Sequence, residues 1–378
     1  MIYADNAATT ALNPKALDAM LPYMTQWFGN PSSIHDMGQK ASQAMTSARQ
    51  TIARCLSCSP RELTFTSGGT EADNQAILSA ASLGRKSHKT HIITSAFEHH
   101  AVLNPLKKLE SDGFKVTYLD VRPDGIVRPE QVENCITPGT CLVTIMTANN
   151  ETGTIQPVSE IGRICRQNGV IFHTDAVQAV GHIPVSIQAQ NIDMLSLSAH
   201  KFGGPKGIGA LYARKDIPLT SLIEGGSQER GKRPGTENVP AIVGMAAALE
   251  DACLHLDEVQ SRLVSHRNRL TDALLALPGT HLNGDYDRRL PGHASFCFDG
   301  GDSETMLLLL NQKGICASAG SACTAGSLEP SHVLLALGRS PEQAKTALRL
   351  SLSDATTPDD ITYIIQSITD IYHLMIKQ

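Results

Sequence analysis

The chain has 378 residues, 41% of them hydrophobic and 18% charged, with a formal net charge of −5. That composition supports a large buried core, in two domains or in one large domain with a smaller companion, and excludes intrinsic disorder. The mildly acidic balance gives no reason to expect direct contact with nucleic acid or with an anionic membrane.

No apolar run approaches the length needed to span a bilayer, and the start MIYADNAATT has no basic region followed by an apolar stretch, so no secretory signal is expected. The nine cysteines are scattered rather than spaced as a disulfide framework, which fits a reducing, cytoplasmic setting. Cys55 and Cys58 form a C-x-x-C with no second pair at zinc-ribbon spacing, so no metal site is expected there.

Through the first two-thirds of the chain, ELTFTS, THIITSA, KVTYLDV, CLVTIMT, GVIFHT and DMLSLSA read as strands. Each is short, rich in β-branched residues and bounded by turn residues. EADNQAILSAASLG and VSEIGRICRQNG read as helices that stop near a glycine. The alternation predicts an α/β fold with a mainly parallel sheet covered by helices on both faces. After Gly235 the pattern changes: Ile242, Leu249, Leu256, Leu263, Leu270 and Leu277 recur every seven residues, with Met245, Ala252 and Val259 as offset partners. This stripe predicts one long helix or two abutting helices, packed on the chain's own core and containing a domain boundary. Beyond it, SFCFDG, MLLLLNQKGICAS, a Gly/Ser/Ala loop, PSHVLLALG, LRLSLS and a last helix from Pro358 suit a smaller α+β domain.

Several segments carry residues suited to chemistry. In TFTSGGTEADN a strand runs through Gly68-Gly69-Thr70 into a helix, whose free N–H groups and dipole favour an anion such as phosphate; a tight turn with a Thr cap reads equally well. In DMLSLSAHKFGGPKGIG, alternation sets Ser196, Ser198 and His200 on one strand face, and Lys201 follows among small residues. A desolvated lysine forms a Schiff base with an aldehyde cofactor, whereas Lys206 reads as an ordinary surface charge. Asp175, just past the strand GVIFHT and three residues before Gln178, sits where open α/β sheets bind ligands. A carboxylate there can hold a pyridinium nitrogen protonated, or simply cap a helix.

His99 and His100 end another strand; a histidine can stack on a flat ring and shuttle protons. Asn149 and Asn150 offer amides for phenolic or carboxylate oxygens, or are plain turn residues. Arg349 in LRLSLS can grip a carboxylate with two parallel hydrogen bonds, or form a structural ion pair. Cys323 lies in a stretch without a large apolar residue between Cys316 and Leu328, so it is the best candidate for a reactive thiolate, while Cys297 alternates within a strand as a core residue.

YADNAATT, NPSSIH, TSGGTEADN, EHHAVL, NNETG, HTDAVQAVG, SLSAHKFGGPKGIGALY, QERGKRPGTEN, GSACTAG and PSHVLLALG occur in this order over nearly the whole chain. Together they resemble the cysteine desulfurase family, the NifS/IscS-like branch of the fold-type I pyridoxal-phosphate enzymes. The resemblance implies that architecture: a large cofactor-binding domain over residues 13–256, with a mainly parallel mixed sheet covered by helices, and a smaller α+β domain of residues 1–12 and 257–378 carrying the Cys323 loop. It implies that Lys201 binds pyridoxal 5'-phosphate covalently and that Asp175 partners the ring nitrogen. Gln178 and Asn150 would reach the ring's phenolic side, with Asn150 also near the substrate carboxylate. His99 would stack on the ring and transfer protons. Gly69, Thr70, Ser198 and His200 would form the phosphate site, completed by Thr236 of a second subunit, which makes a homodimer. Arg349 would bind the carboxylate of L-cysteine, and Cys323 would receive its sulfur as a persulfide, leaving alanine.

The sulfur acceptor implied is a protein, either an iron–sulfur scaffold or a tRNA thiolation enzyme. Two departures from the family pattern stand out. GGSQERG has Ser227 where a third glycine is usual, and the chain ends at Gln378, soon after its last helix, where longer relatives engage a scaffold. Among rivals on the same fold, an aminotransferase and a β-lyase would share Lys201 and Asp175 but not the cysteine in a small-residue loop. A selenocysteine lyase stays open. A non-catalytic sulfur-relay protein is opposed by intact Lys201 and Cys323.

Overall fold

The structure, a computed structural model, describes residues 1–320 and 330–376. The chain opens with β1 (Ile2–Tyr3), α1 (Pro14–Thr25) and α2 (Asp36–Leu56). Asn13 caps α1 by accepting from the Lys15 N–H, and Pro14 supplies a preset first turn. Strand and helix then alternate: β2 (Leu63–Thr66), α3 (Gly69–Lys86), β3 (His91–Ser95), α4 (His100–Ser111), β4 (Lys115–Leu119), α5 (Pro129–Cys135), β5 (Thr140–Thr144), α6 (Val158–Gln167), β6 (Ile171–Asp175), β7 (Met194–Ser198) and β8 (Gly209–Ala213).

Among the described residues β2 to β8 form one seven-stranded sheet in the order β2-β8-β7-β6-β5-β3-β4. Neighbours run parallel except β8, which is antiparallel to both β2 and β7. Alternating side chains serve two faces: Ile92 and Leu142 pack with residues of α3 and α4, whereas Ile93 and Val143 pack with residues of α2, α6 and a later helix. The six strands read from the sequence are β2 to β7. β8 escaped that reading because it follows the turn-rich FGGPKGIG, and the short connection returns it antiparallel to β7.

The heptad stripe resolves into α7 (Val239–Leu254) and α8 (Leu256–Leu275), bent by 70°. The single-helix alternative is therefore corrected: the backbone leaves helical geometry at His255, and the stripe serves two cores. Ile242 and Leu249 join the core under the large sheet, while Leu263 and Leu270 join a second one. The chain continues through β9 (Thr280–Leu282), β10 (His293–Phe298), α9 (Ser303–Gln312), β11 (Ile315–Cys316), α10 (His332–Ala336), α11 (Pro341–Ala344), β12 (Ala347–Ser351) and α12 (Pro358–Met375); the second core is built on these except α10 and α11, which send Val333, Leu334 and Ala344 to the first. β10 is the centre of an antiparallel sheet between β9 and β12.

β1 pairs in parallel with β11, Ile2 opposite Ile315, so the first residues belong to the C-terminal layer. No single described helix is long and apolar enough to cross a membrane, and α7 with α8 reaches that length only as the bent pair.

Candidate functional site

Parallel strands deliver the residues that follow them to one edge of a sheet, and here that edge opens into a cavity of about 200 Å³. The turn after β2 brings Gly69 and Thr70, the end of β3 brings His99, and the loop after β5 brings Asn150. β6 ends on Asp175, followed by Gln178, and β7 ends on Ser198, followed by His200 and Lys201 on a short 3₁₀ turn. Arg349 enters from β12. The cavity thus gathers ten residues that the sequence singled out, from segments up to 280 residues apart. Thr236 is exposed and does not line it, and Cys323 lies outside the described residues. Lys206 is exposed and Cys297 is buried in the core, as read from the sequence.

At one end of the cavity, α3 begins without a capping side chain, Gly68 standing at its N-cap. Its first-turn N–H groups are therefore left to a ligand, beside Thr70 and Ser198. A Cβ on Gly69 would come 2.6 Å from Val177 Cγ2, so only glycine lets this helix start approach the segment carrying Gln178. Arg233 pairs with Glu71 on the first turn of α3 at 2.9 Å, which holds the exposed Thr236 segment near the same end. His200 binds Thr9 Oγ1 at 3.1 Å, and burial together with Lys201 pushes its pKa down to about 4, so the ring is neutral.

Lys201 occupies the middle. Its Nζ donates to the backbone carbonyls of Ala7 at 2.7 Å and Ala8 at 2.8 Å. Gln178 Nε2 donates to the same Ala7 carbonyl at 3.0 Å. His99 is the N-cap of α4, its Nδ1 accepting from the Ala101 N–H at 3.1 Å.

Asp175 is buried, and Oδ1 accepts from the Val177 N–H at 2.9 Å. It closes a local turn rather than capping a helix. Burial raises its pKa, while His99, the Val177 N–H and Lys201 pull it back. Beside it lies Asp73, fully buried and pushed well up by burial and by the charge of Asp175, with Ser196 opposing. Asp73 Oδ1 is 3.6 Å from His173 Nε2, whose own pKa burial drives down to about 3, so the ring is neutral and the contact is no ion pair. Burial pushes both acids up, but the positive groups His99 and Lys201 face Asp175 and pull it back, whereas Asp73 meets the further negative charge of Asp175.

At the far end Arg349 is 1% exposed. Its Nη1 donates to the Asn150 carbonyl at 3.0 Å and its Nη2 to Asp5 Oδ1 at 2.7 Å. The sequence reading weighed a ligand grip against an ion pair for this residue; the ion pair is present, and Arg349 also lines the cavity.

Reasoning from sequence missed Asp5, Ala7, Ala8 and Asp73. Asp73 had a signal, since it stands three residues after Thr70 and so on the same face of α3. Asp5 stood in YADNAATT with nothing local to mark its partner.

The sequence model of the aminotransferase class-V family matches residues 2–364. Cysteine desulfurase IscS of Methanosarcina thermophila is 50% identical over 370 residues, covering 98% of this chain and 91% of that protein. A cysteine desulfurase of Trichormus azollae is 47% identical over 372 residues, covering 98% and 92%. Among solved structures, a NifS-like protein superposes with a TM-score of 0.92 at 39% identity over 100% of both chains. A structure described as SspA in complex with cysteine superposes with a TM-score of 0.83 at 37% identity, over 94% of this chain and 100% of that one.

Proposed function

The chain belongs to the aminotransferase class-V family, among the pyridoxal-phosphate-dependent cysteine desulfurases, and from that premise we propose that its cavity takes sulfur from free L-cysteine. The products are L-alanine and a persulfide on Cys323. The residues present fit the cofactor. The uncapped start of α3, brought close by Gly69, would hold the phosphate together with Thr70, Ser198 and His200. Asp175 would face the pyridine nitrogen, Gln178 and Asn150 the phenolic side, His99 the ring face, and Lys201 the aldehyde carbon. When bound, pyridoxal phosphate supplies an electron sink for charge developing at the substrate's α-carbon.

The remaining work falls to side chains. Arg349 and Asn150 bind the substrate carboxylate and orient the amino acid in the cavity. Lys201 Nζ takes the proton from the α-carbon, and His99 moves protons on the other side of the site. The buried Asp175, whose charged form His99, the Val177 N–H and Lys201 favour against burial, would hold positive charge at the cofactor's ring nitrogen. The Cys323 thiolate attacks the substrate sulfur; a sulfur–sulfur bond forms, the carbon–sulfur bond breaks with its electron pair going to carbon, and that carbon gains one proton.

The observation that carries this reading is that Lys201, Asp175 and Arg349, from distant parts of the sequence, line one cavity. The test is alanine production from L-cysteine by the cofactor-loaded protein with a thiol reductant. Stoichiometric alanine and sulfide are expected, and pyruvate with ammonia in place of alanine would overturn the reading.

The same proposal includes a homodimer in which Thr236 of each subunit completes the other's phosphate site. The exposed Thr236 supports it, as does an unpartnered apolar row, Leu17, Leu21 and Met24 on α1 with Phe28 beyond, 43% to 72% exposed. A division into residues 13–256 against 1–12 with 257–378 is supported by the bend at His255 and by the β1–β11 pairing. We place the enzyme in the cytoplasm, delivering sulfur to an iron–sulfur scaffold or a tRNA thiolation enzyme.

A further inference from the structure

Arg349 is 1% exposed, and a guanidinium so buried must have its donors met and its plane fixed by hydrogen bonds, or it costs stability and binds nothing well. Arg349 has two anchors, on different parts of the chain: the Asn150 carbonyl on Nη1 and the Asp5 carboxylate on Nη2. Asp5 is itself held firmly, because the segment around it is stapled to β12, the strand that carries Arg349. Ser351 N–H donates to the Ala4 carbonyl at 2.7 Å, Asn6 Nδ2 donates to the Ser351 carbonyl at 2.8 Å, and the Ala7 N–H donates to Ser351 Oγ at 2.9 Å. The two anchors use one N–H on each terminal nitrogen of a group that has five. The Nε–H has no hydrogen-bond partner among the described residues. Donors therefore remain for one further carboxylate, in an orientation that Asp5 and Asn150 have already set.

We propose that Asp5 is a positioning residue for the substrate carboxylate, acting through Arg349. This rests on the reading of Arg349 as the carboxylate-binding group. Asp5 fixes the guanidinium by accepting a hydrogen bond, so that ordering it is not left to the moment of binding. The effect falls on binding of the amino acid and not on the later bond-breaking, since Asp5 is absent from the lining of the cavity itself.

The test uses the cofactor-loaded enzyme with Asp5→Ala, Asp5→Asn and Arg349→Lys, following KM and kcat for L-cysteine and the Kd of L-alanine by absorbance titration. Asp5→Ala should raise KM and the alanine Kd about tenfold with kcat within about twofold, because one anchor of two is lost. Asp5→Asn keeps an acceptor oxygen at the same place and should stay within about threefold of wild type. Should Asp5→Ala fail to load cofactor, Asp5→Ser, whose hydroxyl falls short of the guanidinium, gives the same comparison. A wild-type Kd in Asp5→Ala, equal losses in Asp5→Ala and Asp5→Asn, or a fall in kcat at constant KM would each overturn the role of Asp5. A wild-type KM in Arg349→Lys would instead overturn the reading of Arg349.

Discussion

The ammonium of Lys201 donates to the backbone carbonyl of Ala7 at 2.7 Å, so the cavity's lysine and the N-terminal segment are joined directly. The second acceptor, the Ala8 carbonyl, makes the pairing bidentate on the chain side. The lysine is thereby aimed into the site from a turn that the end of β7 fixes.

The first prediction follows from that aim. The loaded protein should be yellow, with a visible band from cofactor bound to Lys201, and borohydride should fix the cofactor to the peptide bearing that lysine. Lys201→Ala should lose the reducible link entirely. Cofactor still fixed to the mutant after reduction would remove Lys201 from its assigned role.

A second prediction separates two buried acids. Burial raises the pKa of both, but His99, the Val177 N–H and Lys201 oppose the rise at Asp175, while the charge of Asp175 adds to it at Asp73. Asn is nearly isosteric with a protonated Asp but cannot replace a carboxylate. Asp73→Asn should therefore change kcat less than about threefold, whereas Asp175→Asn should lower it ~100-fold and alter the cofactor spectrum. Equal losses in the two variants would contradict this division.

Glu98 gives a pH-dependent prediction. It is fully buried, and burial pushes its pKa up to about 8, against hydrogen bonds from Ser95 and from the Met146 N–H. The unfolded chain releases that proton near 4.5, but the folded chain keeps it. Stability contributed by this group is thus complete below about 4.5 and falls as pH rises towards about 8, by at most ~1.4 kcal/mol per pH unit. Glu98→Gln removes that slope. Urea midpoints of mutant minus wild type should grow more positive from pH 5 to pH 8, and a flat difference would show that Glu98 ionises normally.

The dimer proposal is tested by mixing subunits. A Lys201→Ala chain and a Thr236→Ala chain, refolded together, should form some dimers with one fully native site, restoring activity that neither variant has alone. Leu21→Asp on the apolar row should shift sedimentation towards monomer and lower activity with it. An active monomer in either experiment is the result that would falsify the shared site.

The last prediction concerns sulfur transfer. Burial holds the thiols of Cys58, Cys141 and Cys165 up at about 12, about 11 and about 12, so these form thiolates poorly. Cys323→Ala should bind cofactor and L-cysteine yet release alanine at least ~100-fold more slowly. Mass spectrometry of wild type after L-cysteine alone should place the added sulfur on the peptide bearing Cys323. Added sulfur on Cys297 or Cys316, or wild-type turnover in Cys323→Ala, would favour a β-lyase.

What the sequence determined by itself is the local part. Short β-branched runs located β2 to β7, because a buried strand needs little more than continuous apolar, branched residues between turns. Asp175, Lys201 and Gly69 were legible because each stands just beyond such a run, and strand ends in a parallel sheet converge on one edge. The tertiary structure alone decided what lies across from them. Asp5 reaches Arg349 only because β1 joins β11 and the next residues are stapled to β12, over 344 positions of chain. The break at His255 lies within an unbroken heptad pattern, and only the presence of two separate cores tells the helices to part. The upward push on the Asp73 pKa comes from the burial and charge around it, which no spacing of residues along one helix records. Periodicity fixes which face a side chain is on; which charge it meets there is set by packing between segments far apart in the chain.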